Sequence, residues 1–146
     1  MRVYLVPIVA LALALGGCKK ASPVGTWTSS ETVNGINFNP EVTFNADGTF
    51  KSVSKVANGP NTLTATDTGN WTLDGDKLTI KMTDVDWQFS GTDQARIQKA
   101  QERVREKKQQ IIDESNKNPT ETIKWNGNDE FSADEQGKTT VYHRKS

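Results

Sequence analysis

Lys77-Leu78-Thr79-Ile80-Lys81-Met82-Thr83 alternates without interruption. Leu78, Ile80 and Met82 share one face, and the lysines and threonines share the other. A period of two is that of a strand with one buried and one wet side, so this segment is not helical. The same pattern runs through most of residues 23–89. Residues 25–33 are rich in β-branched side chains and end at Asn34-Gly35, a strong hairpin pair. Glu41-Val42-Thr43-Phe44 alternates, and Asn45-Ala46-Asp47-Gly48 turns the chain into Thr49-Phe50. A loop around Asn58-Gly59-Pro60 precedes a strand over about residues 63–73, and Asp74-Gly75-Asp76 turns it into the next. Val85, Trp87 and Phe89 then fall on odd positions, whereas Leu78, Ile80 and Met82 fall on even ones. A bulge or turn at Thr83-Asp84 is expected to restore the phase, because a slip of one residue reverses every side chain.

The pattern changes at Ser90. Residues 93–116 hold no glycine or proline and are dense in Gln, Glu, Lys and Arg, which favour helix. Ser90 or Thr92 is expected to cap the start, with Asp93 near the positive end of the dipole, and Asn118-Pro119 to end it. Ile97, Ala100, Val104, Ile111 and Ile112 make only a thin apolar stripe, interrupted by Lys107 and Lys108. This predicts a helix across the outside of a sheet or projecting from it. Strand patterns return at residues 121–125, 130–133 and 138–144, with turns at Asn126-Gly127-Asn128 and Gln136-Gly137. About eight strands with short connections predict a mainly β chain. The expected fold is an antiparallel up-and-down barrel, with one helical insertion (about residues 92–117) between strands five and six.

The N-terminus has a different character. Arg2, an uncharged apolar run over residues 3–15, two glycines and the chain's single cysteine follow in order. That run is well short of the roughly 20 residues a membrane-spanning helix needs, and its layout is that of an export signal. Leu15-Gly16-Gly17-Cys18 resembles the lipobox of bacterial lipoproteins. The resemblance implies a signal peptide over residues 1–17, diacylglycerol on the Cys18 thiol, palmitate among its acyl chains, and cleavage that makes Cys18 the N-terminus. Residues 18–23 would then be the lipidated cysteine and a short tether, with the folded domain over 24–146. Lysine rather than aspartate follows the cysteine, which by the same resemblance implies the outer membrane, facing the periplasm, if the host is diderm. Lys19 and Lys20 either add weak attraction to anionic lipid or simply solvate the tether.

Composition narrows the partners. Loss of Arg2 with the signal takes the basic count from 18 to 17 against 18 acidic residues, so there is no basic excess for nucleic acid. Four tryptophans and five phenylalanines in a polar chain must supply much of the core.

Gly25-Thr26-Trp27 opens the first strand and Arg144 sits on the last. An indole can plug an apolar barrel end while a guanidinium stacks on it and its stem covers the ring. This pair resembles that of the lipocalin, or calycin, group, and the turns Phe44-Asn45-Ala46-Asp47-Gly48-Thr49-Phe50 and Gly69-Asn70-Trp71-Thr72-Leu73-Asp74-Gly75-Asp76-Lys77-Leu78 resemble those of the short lipocalin-like domains of bacterial lipoproteins. The resemblance implies that Trp27 and Arg144 are the barrel-closing pair. The chain is shorter than a typical lipocalin, lacks the Thr-Asp-Tyr loop motif and carries its helix between strands rather than after them.

Catalytic patterns are sparse. His143 is the sole histidine, beside Arg144 on a terminal strand, and reads as a surface residue. With Cys18 acylated no thiol remains for a nucleophile or a zinc site. Asp84 and Asp86 alternate as solvated strand charge, and Asp47, Asp74 and Asp76 are turn formers that match no calcium loop. The expectation is a non-enzymatic protein without metal or cofactor. It would be held to a membrane by its lipid and bind either a small apolar ligand or an envelope protein, the latter through the inserted helix. For a ligand carrier, Val42, Phe44, Trp71, Leu78, Ile80, Met82, Ile123 and Phe131 would line the cavity. The same set serves equally as a filled core.

Overall fold

The computed structural model describes residues 21–33, 36–135 and 137–146. The export segment, Cys18 and the Asn34-Gly35 turn lie outside the described residues. The strands are β1 (Gly25–Ser29), β2 (Glu31–Val33), β3 (Ile36–Phe38), β4 (Glu41–Phe44), β5 (Thr49–Asn58), β6 (Asn61–Asp74) and β7 (Lys77–Ser90), followed after the helix α1 (Gln94–Ser115) by β8 (Thr120–Trp125), β9 (Glu130–Glu135) and β10 (Lys138–Arg144). Eight of them close an antiparallel barrel in the order β1-β10-β9-β8-β7-β6-β5-β4, and β2 and β3 pair separately. Neighbours in the wall are neighbours in the barrel's chain order, which is the up-and-down topology. The helix enters between the fifth and sixth barrel strands, β7 and β8. The first predicted strand is broken at Ser30. Its second half leaves the wall as β2, so a small hairpin replaces a straight connection.

The phase change in β7 is a bulge. Thr68 pairs with Asp84 and Gly69 with Met82, leaving Thr83 as the extra residue. Met82 and Val85 therefore keep the same side, and Val85, Trp87 and Phe89 continue the inward phase. The bulge presses β7 onto Gly69. A Cβ there would lie 2.0 Å from the Lys81 carbonyl oxygen and 2.7 Å from the Phe50 ring. Only glycine allows that approach.

Large aromatic side chains supply most of the core. Phe131 lies 4.7 Å from Trp27, 5.2 Å from Trp125 and 4.7 Å from Tyr142, centroid to centroid. Phe44 meets Trp71 edge-on at 5.6 Å and Phe50 at 6.5 Å. Val42, Leu78, Ile123 and Ala133 fill the space between them.

The helix departs from expectation in two ways. Asp93 itself is the N-cap, accepting the Arg96 amide at 3.0 Å, in place of Ser90 or Thr92. The helix also lies along the inward-phase side of β7 rather than across an outer face. Ile97 and Ala100 border a groove with Phe89, and Val104 borders another with Val85 and Trp87. The reason is the short seam between β7 and β8, which pair only through Lys77–Thr79 and Thr120–Thr122. Beyond that point no strand among the described residues pairs with this edge of β7, and α1 stands beside it. Asn116, at the helix C-cap, supplies the missing partner: its Nδ2 donates to the Met82 carbonyl at 2.8 Å and its Oδ1 accepts the Met82 amide at 2.8 Å. Lys108 on α1 pairs with Asp84 on β7.

Candidate functional site

The two ends of the barrel differ in construction. One end collects the start of β1, the end of β10 and the β4–β5, β6–β7 and β8–β9 turns. Here Trp27 is fully buried, its Nε1 donates to the Pro23 carbonyl at 2.6 Å, and the Arg144 guanidinium carbon sits 4.2 Å from the ring centroid. Register makes the pairing: Trp27 stands directly opposite Arg144 in the β1–β10 ladder. Arg144 also donates to the carbonyls of Ser22 (3.2 Å), Val24 (2.9 Å) and Asn128 (3.1 Å), tying three segments across this floor. Gly25 has φ +130°, a conformation that L side chains rarely adopt, and its missing Cβ leaves room for the guanidinium.

Above the floor lies a cavity of about 180 Å³. Val42, Phe44, Leu78, Ile80, Met82 and Phe131 from the anticipated set line it, together with Phe50. Trp71 and Ile123 do not. Trp71 is two pleats nearer the floor than Asp67 on β6 and borders a separate hollow there, while Ile123 is packed into the core. Most of the lumen is filled, and what remains is small beside the roughly 300 Å³ at which typical ligand pockets begin.

Polar groups outside the anticipated set complete the lining: Ser52, Asp67, Glu121 and Tyr142. Asp67 lies on the inward side of β6, opposite Ser52 on β5 and Val85 on β7. Burial pushes its carboxyl above the ordinary aspartate value, and the Trp87 indole, donating to its Oδ1 at 3.1 Å, opposes that rise. Ser29, the cross-strand neighbour of Tyr142, is buried, and its Oγ has no hydrogen-bond partner among the described residues. The signal for Asp67 was available: residues 63, 65, 67, 69, 71 and 73 share a phase, so an inward Trp71 places Asp67 inward as well.

The remaining candidates stay on the outside. His143 is exposed and its Nδ1 lies 3.3 Å from the Glu130 carboxylate. Asp84 is exposed, and hydrogen bonding from Lys108 holds its carboxyl below the usual range. Asp47 accepts the Thr49 hydroxyl and amide, at 2.6 and 2.9 Å, and these bonds lower its pKa in the same sense. Among the described residues no three His, Cys, Asp or Glu side chains gather as a metal site would require.

An eight-stranded meander with a tryptophan–arginine plug at one end and a small lined lumen above it defines the calycin class of barrel. Residues 20–97 match the family model of the lipocalin-like domain, and the chain belongs to that family. The match runs from the approach to β1 through the fifth barrel strand and into α1. No curated protein matches the chain.

Proposed function

We propose that this chain is a lipid-anchored, non-enzymatic protein of the cell envelope that holds a small ligand in its barrel lumen. The ligand is apolar over most of its surface and carries one cationic or hydrogen-donating group. The observation that carries this reading is the pairing of Asp67 and Glu121 with an otherwise aromatic and aliphatic lining. A desolvated carboxyl in such a place favours a donor or a positive charge beside it. The lipocalin-like barrel is a fold suited to small ligands. The cavity, at about 180 Å³, is of the size that accepts benzene in an engineered core of roughly 150 Å³. A single-ring or short-chain amine matches both size and charge. The Leu15-Gly16-Gly17-Cys18 sequence supports the anchor, and Lys19 supports the outer membrane of a diderm host.

Two measurements test the reading. Labelled palmitate should enter the wild-type chain in its host and not a Cys18→Ala variant. Thermal shift with benzylamine, toluene and benzoate should give a saturable rise for benzylamine and none for benzoate. No stabilisation by any compound of this size would remove the ligand reading.

A further inference from the structure

We propose that the floor of the barrel is a lipid-contacting surface, so that the acylated protein stands on the bilayer with Trp71 and Trp125 at the headgroups and the Asp93 end of α1 on the far side. The inference rests on acylation at Cys18, as proposed above. Ala21 borders the floor hollow together with Trp71, Leu73 and Trp125. Only three residue steps separate it from Cys18, and three extended steps span no more than about 11 Å. An acyl chain on Cys18 therefore holds this end of the barrel within about a headgroup layer of the membrane.

The exit of the chain is also fixed in direction. Arg144 holds the Ser22 and Val24 carbonyls, and Trp27 holds that of Pro23, so residues 22–24 are bound across the floor. Those bonds fix the place where the chain leaves the barrel, at the floor. The exposed surface beside them suits an interface. Trp71 and Trp125 are half-buried, Val24 is exposed, and the Trp71 Nε1 is already satisfied by the Asn45 carbonyl at 3.0 Å. Indole rings with one polar edge concentrate at bilayer boundaries. The surrounding turns expose Asp47, Asp74, Asp76 and Asp129, with Lys77 and Lys124 among them.

The test uses the full acylated chain in phosphatidylcholine vesicles carrying nitroxide at the headgroup. Tryptophan emission should be quenched. A Trp71→Phe/Trp125→Phe double variant should lose more than half of that quenching, and Trp87→Phe should keep it. Single nitroxides give a second reading on the unaltered floor: one at Asp74→Cys should be shielded from a water-soluble relaxant several-fold more than one at Asn61→Cys. Equal accessibility at positions 74 and 61, or quenching that follows Trp87, overturns the proposal. A mass spectrum separates the two ideas. Lack of acyl mass at Cys18 sinks the anchor itself, whereas an acylated chain with an unshielded floor sinks only this orientation.

Discussion

The indole Nε1 of Trp87 donates to Asp67 Oδ1 at 3.1 Å, linking the stretch of β7 that lies beyond its seam with β8 to a carboxyl in the lumen. The bond exists because the Thr83 bulge returns Trp87 to the inward phase. Burial sets Asp67 apart from Asp47 and Asp84. Its folded pKa is raised, chiefly by burial, so its contribution to stability is greatest when protonated and is lost as pH rises through that pKa. Asp84 and Asp47 behave oppositely. Their folded values are lowered, by Lys108 and by Thr49, so their contribution is present at neutral pH and disappears on acidification.

Asp67→Asn keeps an oxygen for the Trp87 indole and removes the charge. At pH 7 the variant should melt a few °C higher than wild type, with the gain vanishing near pH 3. The same substitution should abolish the benzylamine response and leave any toluene response in place. A variant less stable than wild type at pH 7 would refute the desolvation argument.

Arg144→Lys tests the floor. Lysine cannot reach three carbonyls with a planar fork while stacking on Trp27. The expected loss is about 2 kcal/mol, from hydrogen bonds and the cation–π contact together, measured by urea unfolding. Trp27→Ala should cost more, about 3–5 kcal/mol, because it opens a large cavity.

Gly69→Ala tests the bulge. The new Cβ would meet a backbone oxygen of the neighbouring strand, which has no free rotamer by which to yield. A loss above about 2 kcal/mol is expected, outweighing the roughly 0.4–1 kcal/mol gained by making the unfolded chain less flexible.

Asn116→Ala leaves both Met82 backbone groups without their partner on this edge. A cost of about 1–3 kcal/mol follows from those unmet hydrogen bonds. Hydrogen exchange should speed up at the Met82 amide and along α1 while β1, β9 and β10 stay protected. Uniform loss of protection would mean that the helix is not a separable unit.

The strands, the turn positions and the place of the helical insertion were legible in the sequence because each is a local property. Alternation at Lys77–Thr83 and the Asp-Gly and Asn-Gly turns depend on neighbours a few residues apart. Gly25, Trp27 and Arg144 were singled out by the resemblance to the lipocalin group, and barrel closure is what brings them side by side. What the helix does was not legible. Its thin stripe and two interrupting lysines suggested an outer surface. The decision came from the short β7–β8 seam, which leaves β7 an open edge that Asn116 and Lys108 occupy. Nor could spacing say how hollow the lumen is. The residue types facing inward follow from strand phase, but the volume left between Phe44, Phe50 and Phe131 depends on ring orientations set by packing across the barrel. Asp67 joins the two cases: its phase was written in β6, and its desolvation by the opposite walls exists only once the sheet has closed.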